Sequence, residues 1–147
     1  MSAAEVAAFL GESLVVTVAT NGPRGLPHLM PLWFVSRGDA IWGWTYARSQ
    51  KVRNLERDAR ATLQAEAGGG VYAELRGVMI EADAVIHRDL ETVSGVGAEV
   101  AERYGGAQLD EAARAAIAQQ AAKRVALEFL PRRTASWDHR KLVRGVY

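Results

Sequence analysis

Short runs of apolar residues that alternate with polar ones recur along the chain and predict β-strands. The predicted strands cover residues 13–20, 28–35, 40–46, 60–66, 71–86, 124–130 and 134–137. Helical periodicity predicts helices over residues 3–11, 50–57, 88–104 and 110–123. Only the turn signals Asn21-Gly22-Pro23 and Arg37-Gly38-Asp39 separate the first three strands. The pattern therefore predicts a mainly β fold with accessory helices, in which six or seven antiparallel strands curl into a small barrel.

Single residues refine three of these elements. Pro31 cannot donate a ladder hydrogen bond, which predicts an edge or bulged second strand. Gly77 predicts a bulge or a close approach in the long fifth strand, which Tyr72 is predicted to begin. Trp42 and Trp44 share one face of the third strand because side chains alternate along a strand.

Length and composition narrow the class of protein. A chain of 147 residues with 49% hydrophobic and 24% charged residues indicates one globular domain, residues 1–147. No apolar run is long enough to span a bilayer, and the N-terminus carries Glu5 and Glu12 instead of a basic leader, so we expect a cytoplasmic protein. Cysteine is absent and the three histidines lie far apart, so we expect no metal site.

The net charge of +1 is too balanced to predict nucleic-acid binding, but basic residues gather in two clusters, residues 48–60 and 131–144. These clusters indicate either a local anionic ligand or two solvated faces.

The first cluster begins a predicted helix. Ser49 is placed as its N-cap, and Lys51 adds a full charge to a helix N-terminus, which favours a phosphate group. Arg53 points to another side of the helix, because residues advance by about 100° each. A solvated helix that carries the like charges Arg53 and Arg57 is the alternative.

Two adjacent predicted strands carry five aromatic residues, which suit either a barrel core or the wall of a slot for a planar ring. They are Trp33, Phe34, Trp42, Trp44 and Tyr46. No acid–base pair or nucleophile motif is present, so we name no catalytic side chain and expect a cofactor to supply any chemistry.

Taken together, several segments of the sequence resemble the flavin/deazaflavin oxidoreductase superfamily, whose split β-barrel is shared with pyridoxamine 5′-phosphate oxidase. The resemblance rests on GLPHLMPLWFV, SQKVRNLERDARATL, YAELRGVMIEADA and RVALEFLPRRTASWDHRKL, and Lys-Val-Arg-Asn-Leu is its most specific part. The Ser-Trp-Asp-His-Arg-Lys tail is most similar to the branch that uses coenzyme F420. The arginine–lysine phosphate clamp typical of pyridoxamine phosphate oxidases is incomplete, which also disfavours FMN.

The resemblance implies an FMN-binding type of split barrel that forms a homodimer with cofactor clefts between the two barrels. It implies an F420-dependent reductase that passes a hydride to a small conjugated substrate, such as an enone or quinone. An FMN-dependent oxidoreductase and a non-catalytic carrier of F420, FMN or haem are the alternatives. The resemblance also suggests that the basic tail, residues 132–141, meets the polyglutamate of F420.

The same resemblance assigns cofactor contacts. The phosphate-bearing tail would meet Ser49, Lys51, Arg53 and Asn54, and Tyr72 would reach the site from the partner chain. The residues expected around the tricyclic ring are Met30, Pro31, Leu32, Trp33 and Thr45.

Overall fold

The computed structural model describes residues 1–106 and 108–142. Its four helices are α1 (Ala3–Glu12), α2 (Gln50–Arg57), α3 (Leu90–Gly105) and α4 (Glu111–Ala121). Its seven strands are β1 (Val16–Asn21), β2 (Pro27–Leu32), β3 (Phe34–Arg37), β4 (Ala40–Tyr46), β5 (Arg60–Ala67), β6 (Arg76–His87) and β7 (Arg124–Asp138). Short 3-10 turns cover Tyr72–Glu74 and His139–Lys141.

All seven strands form one antiparallel sheet in the order β2-β1-β5-β6-β7-β4-β3. Its two edge strands, β2 and β3, are consecutive in the chain and are joined by Trp33 alone. The edges must therefore come together, and the sheet curls into a half-barrel. The side chain of Leu32 on β2 covers Gly43 on β4, where an added Cβ would lie 2.9 Å from Leu32 Cγ. Fold class and antiparallel pairing are confirmed.

Two hydrophobic cores stabilise this arrangement. The larger core fills the barrel, and Phe9 and Leu10 of α1 and Val52 and Leu55 of α2 belong to it. The two helices cover opposite ends of the barrel. Helix α1 leads into the start of β1, whereas Asn54 of α2 donates a hydrogen bond to Thr20 near the end of β1. The smaller core lies outside the barrel, where α3 and α4 pack on β3, β4 and β7; its members are Val35, Ala40, Trp42, Val93, Val96, Val100, Ala121 and Ala126.

Several predicted elements are correct. The third strand and the helix after it have the predicted bounds, Ala40–Tyr46 and Gln50–Arg57. Pro31 does lie on an edge strand. Gly77 is a close-approach site, because an added Cβ would overlap the Trp137 ring.

Four predictions were wrong in the bounds of strands, and the first of these strands begins at Val16 instead of residue 13. Residues 28–35 form two strands that separate at Trp33, since the chain passes there from one edge of the sheet to the other. Tyr72 begins a 3-10 turn instead of the long strand, which starts at Arg76. The last two predicted strands are one, because a bulge lets β7 continue past Pro131.

None of the described helices combines the length and apolar character needed to span a bilayer. Across the described part of the chain, no group of three His, Cys, Asp or Glu side chains could hold a metal ion.

We expect Gly43→Ala to lower the free energy of unfolding by about 1–3 kcal/mol, because its methyl group overlaps Leu32 where the barrel closes. Gly95→Ala is the matched control: its Cβ has no neighbour nearer than Arg37 Nη2 at 4.0 Å, and alanine favours the helix by up to about 1 kcal/mol. Urea denaturation measures the free energy of unfolding of both variants. Equal stability of the Gly43 variant and the wild type would contradict this account of barrel closure.

Candidate functional site

A cleft opens where the barrel fails to close. β3 pairs with β4 only as far as Gly43, so Trp44 to Tyr46 have no ladder partner on that side, and among the described residues no ladder joins β2 to β4. The resulting cleft has a volume of about 440 Å³. It is lined by Pro31, Leu32, Trp33, Trp44, Thr45, Lys51, Gly97, Val100, Ala101 and Arg124. Two of these residues are cationic and none is acidic.

Lys51 is the buried charge of the cleft. Its position in the first turn of α2 leaves the residue only 8% exposed. The Nζ atom donates a hydrogen bond to Thr45 Oγ1 at 3.3 Å, and no carboxylate of the described residues forms an ion pair with it. Burial lowers the pKa of Lys51 because an ammonium group loses hydration. An anion bound in the cleft would compensate this charge.

A second cation, Arg124, lines the cleft and packs on two aromatic rings, of which Trp44 belongs to the lining. The Arg124 guanidinium lies 4.1 Å from the ring centroids of both Trp44 and Tyr46. Its Nη2 atom donates to Gln120, while Arg124 Nε and Trp44 Nε1 are buried with no hydrogen-bond partner among the described residues. The cleft therefore carries a second positive charge beside an aromatic ring.

Helix α3 covers the cleft closely because glycine stands at position 97. A Cβ there would lie 2.7 Å from Trp44 Cε2 and 3.0 Å from Ile117 Cγ2. Gly97 thus lets the indole of Trp44 lie against the helix backbone and leaves room for Val100 and Ala101 to line the same cleft.

The cleft brings together half of the cofactor contacts that the resemblance suggested, namely Pro31, Leu32, Trp33, Thr45 and Lys51. The other five lie outside its lining, and three of them are near α2. Asn54 is fully buried, where its Nδ2 donates to Thr20 Oγ1 and its Oδ1 accepts from Gln50 Nε2, both at 2.9 Å. Ser49 occupies the N-cap without a capping hydrogen bond, and its Oγ is buried and unpaired. Arg53 is exposed on α2.

The remaining two lie further from the cleft. Met30 is 42% exposed on β2. Tyr72 packs its ring against His139, with ring centroids 4.6 Å apart.

Five residues of the lining were not assigned to the site from the sequence. They are Trp44, Gly97, Val100, Ala101 and Arg124. Gly97 gave the only signal, as a glycine that interrupts a helical pattern. Trp44 was noted among the aromatic residues but was not separated from the core.

Comparisons with known proteins agree with this architecture. The sequence model of pyridoxamine 5′-phosphate oxidase matches residues 2–138. Comparison with curated proteins gave no match. A conserved hypothetical protein from Mycobacterium tuberculosis superposes with a TM-score of 0.88 and 42% identity, over 95% of this chain and 86% of that chain.

Two more distant structures show the same fold. An F420 reductase superposes with a TM-score of 0.67 at 20% identity, over 87% of this chain and 94% of its own. A haem storage protein from Vibrio cholerae gives 0.70 at 18% identity, over 92% of this chain and 94% of its own. The chain belongs to the pyridoxamine 5′-phosphate oxidase family of split-barrel proteins, which are largely oxidoreductases.

We expect Lys51→Met to raise the free energy of unfolding of the ligand-free protein by about 1 kcal/mol at neutral pH, because it removes a buried charge without a carboxylate partner. The pKa of Lys51 in the folded protein lies below its ordinary value of 10.5. Between these two pKa values the unfolded chain binds more protons, so wild-type stability rises with pH and the stability difference between wild type and Lys51→Met becomes smaller.

Urea denaturation at pH 7 and pH 10 measures this difference, with the exposed Lys123→Met as the control that leaves stability unchanged. A Lys51→Met protein that is less stable than the wild type at pH 7 would show that the ammonium is well compensated.

Proposed function

We propose that the protein is a coenzyme F420-dependent oxidoreductase that transfers a hydride between the reduced deazaflavin and a small conjugated substrate of the enone or quinone type. The observation that carries the proposal is the buried Lys51, which has no carboxylate partner among the described residues and lies in an aromatic cleft. An enclosed cation beside apolar walls suits a planar ring with an anionic tail.

The cleft residues fit such a cofactor in both chemistry and size. Pro31, Trp33 and Trp44 offer flat apolar surfaces for a ring, and about 440 Å³ is within the range of small-molecule sites. Lys51 and Arg124 would hold the phosphate-bearing part.

A neighbouring cavity favours F420 over FMN. Tyr46, Ala47, Arg48, Ala122 and Lys123 line about 450 Å³ directly beside the cleft, again without an acidic residue. Neither Arg48 nor Lys123 forms an ion pair in the described part of the chain. This cationic extension, defined by Arg48 and Lys123, suits a ligand whose tail carries further negative charges, as the polyglutamate of F420 does.

The C-terminal basic cluster does not offer comparable free charge. Its described cations are paired: Arg132 with Asp83, Arg133 with Glu81, Arg140 with Asp138 and Lys141 with Glu5. Val143 and Arg144, the last residues of that cluster, lie outside the described residues. We therefore assign the anionic tail to the cationic extension and not to residues 132–141.

The bound deazaflavin supplies hydride transfer at the ring carbon that replaces the flavin N5. The protein's own residues bind and orient it. Trp33 and Trp44 would provide flat walls for the ring and exclude water from it, and Lys51 would hold the tail. Thr45 accepts a hydrogen bond from Lys51, so its hydroxyl hydrogen remains available to an acceptor in the cleft.

A haem carrier is a less suitable reading of this cleft, since its lining contains no histidine, cysteine or methionine. FMN remains the alternative ligand, because one phosphate also suits Lys51 and Arg124.

A homodimer is part of the proposal, and the exposed edge of the sheet supports it. Leu26, Leu29 and Met30, on or next to β2, are 66%, 59% and 42% exposed, and Trp33 is 56% exposed. An uncovered apolar edge strand is typical of an interaction surface. A second copy that covers it would place new walls beside the cleft, and Tyr72 is our candidate for the residue that the partner contributes.

We expect the purified protein to bind F420 with a dissociation constant in the micromolar range or tighter, and FMN more weakly, in fluorescence titrations. Lys51→Met should weaken both by about 10- to 100-fold, because it removes a charge-assisted hydrogen bond. Arg48→Gln with Lys123→Gln should weaken F420 more than FMN and reduce the salt dependence of F420 binding. The paired cations Arg132→Gln and Arg133→Gln form the control and should change neither affinity.

The outcomes of these titrations distinguish the F420-dependent enzyme from an FMN-dependent enzyme and from a carrier. Tighter binding of FMN than of F420 would replace the proposal by its FMN alternative, and binding of neither would remove the cofactor function. Reduced F420 that is not oxidised by any enone or quinone in a panel would indicate a carrier instead of an enzyme.

We expect sedimentation velocity to show a dimer that Leu29→Lys converts to a monomer, because a charge enters the apolar edge. Leu90→Lys, at a similarly exposed leucine on α3, should leave the dimer intact. Tyr72→Ala should then weaken cofactor binding by up to about tenfold in the dimer and not at all in the Leu29→Lys monomer. A monomeric wild type would refute the dimeric cleft.

A further inference from the structure

Tyr104 lies near the C-terminal end of α3 and stacks on Trp33. The two ring centroids are 4.5 Å apart and the ring planes differ by 5°. Trp33 lines the cleft, whereas Tyr104 does not belong to its lining. The tyrosine therefore supports one wall of the cleft from behind.

The support matters because Trp33 is poorly held by its own segment. It is the single residue between β2 and β3, and 56% of it is exposed. An exposed side chain in a connection of this kind can exchange between rotamers unless a neighbour restricts it. The face of the Tyr104 ring provides that restriction.

The Tyr104 ring is itself fixed through its hydroxyl group. The hydroxyl oxygen accepts a hydrogen bond from the Phe34 amide at 2.9 Å, and the hydroxyl donates to the Leu14 carbonyl at 2.6 Å. One partner lies directly after Trp33 and the other lies just before β1. The hydroxyl group therefore connects the tyrosine ring to the start of β3 and to the segment before β1.

The same helix also lines the cleft itself. Val100 and Ala101 line it, and Tyr104 follows one helical turn after Val100. Arg103, the preceding residue, anchors this end of α3 by donating to the carbonyls of Leu10, Gly11 and Ser13. The anchored end of α3 therefore both contributes lining residues and supports Trp33.

We propose that Tyr104 is a positioning residue that fixes the indole of Trp33 as a wall of the cleft, in the orientation that a bound planar ring requires. The ring-binding part rests on the proposed function; the placement of Trp33 does not.

The first test uses the ligand-free protein. In NMR spectra, Trp33→Phe identifies the indole NH signal of Trp33 among those of the four tryptophans. The wild type should show nuclear Overhauser contacts between the Tyr104 ring and the Trp33 indole. Tyr104→Leu should shift and sharpen that one signal, whereas Tyr104→Phe, which keeps the ring but loses the hydroxyl hydrogen bonds, should change it less.

The control is Val93→Ala, which creates a cavity under α3 at a fully buried residue and should leave the Trp33 signal in place even though it lowers stability. Absence of the Tyr104–Trp33 contacts in the wild type, or an unchanged Trp33 signal in Tyr104→Leu, would overturn the proposal. The wild-type contacts decide the question even where the leucine variant does not fold.

The second test is a double-mutant cycle on F420 or FMN affinity, whichever binds. Tyr104→Leu should weaken binding by about tenfold in the wild type and should add no further loss in Trp33→Leu, because the tyrosine acts through the indole. Additive losses would show that Tyr104 acts independently of Trp33. If neither cofactor binds the wild type, the proposed function fails, while the indole signals still decide where Trp33 is held.

Discussion

The one-residue connection between the two edge strands determines the shape of this protein. Among the described strands, β2 forms a ladder only with β1 and β3 only with β4, yet Leu32 and Phe34 are separated by Trp33 alone. A flat seven-stranded sheet would hold its edge strands far apart, so the sheet must curl until Leu32 covers Gly43. Closure stops there, because β3 has no residue to pair with β4 beyond Gly43. The cleft is the remaining opening, and the connecting residue itself lines it.

The same opening explains why a charged side chain can be buried at Lys51. A fully closed barrel would enclose the ammonium group at a cost of several kcal/mol. At the unpaired edge, Thr45 supplies one hydrogen-bond acceptor and the cleft leaves space for an anion. The lowered pKa of Lys51 shows that the protein alone compensates the charge incompletely. Stability of the free protein and affinity for an anion therefore oppose each other at this residue.

Elements determined by local sequence could be predicted, and those determined by long-range pairing could not. The strand Ala40–Tyr46 and the helix Gln50–Arg57 follow from alternation, an N-cap and helical spacing, all within a few residues. The separation at Trp33 has no local signal, because the apolar pattern continues from β2 into β3. Of the expected cofactor contacts that line the cleft, Thr45 and Lys51 lie in those local elements. Pro31, Leu32 and Trp33 lie at the end of β2 and in its connection to β3. Arg124, Gly97 and Val100 join it through β7 and α3, which pack there only in the folded chain.

The charged residues also show the difference between what local sequence determines and what long-range pairing determines. By sequence alone, residues 131–144 form the basic cluster with the larger net positive charge, with five arginines or lysines against one aspartate. In the fold, the antiparallel pairing of β6 with β7 brings Asp83 and Glu81 to Arg132 and Arg133 and neutralises them. No described strand or helix brings a carboxylate to Arg48, Lys51, Lys123 or Arg124. A net charge of +1 thus conceals a local excess of positive charge at the cleft, since the electrostatic field that attracts an anion depends on which cations are left unpaired.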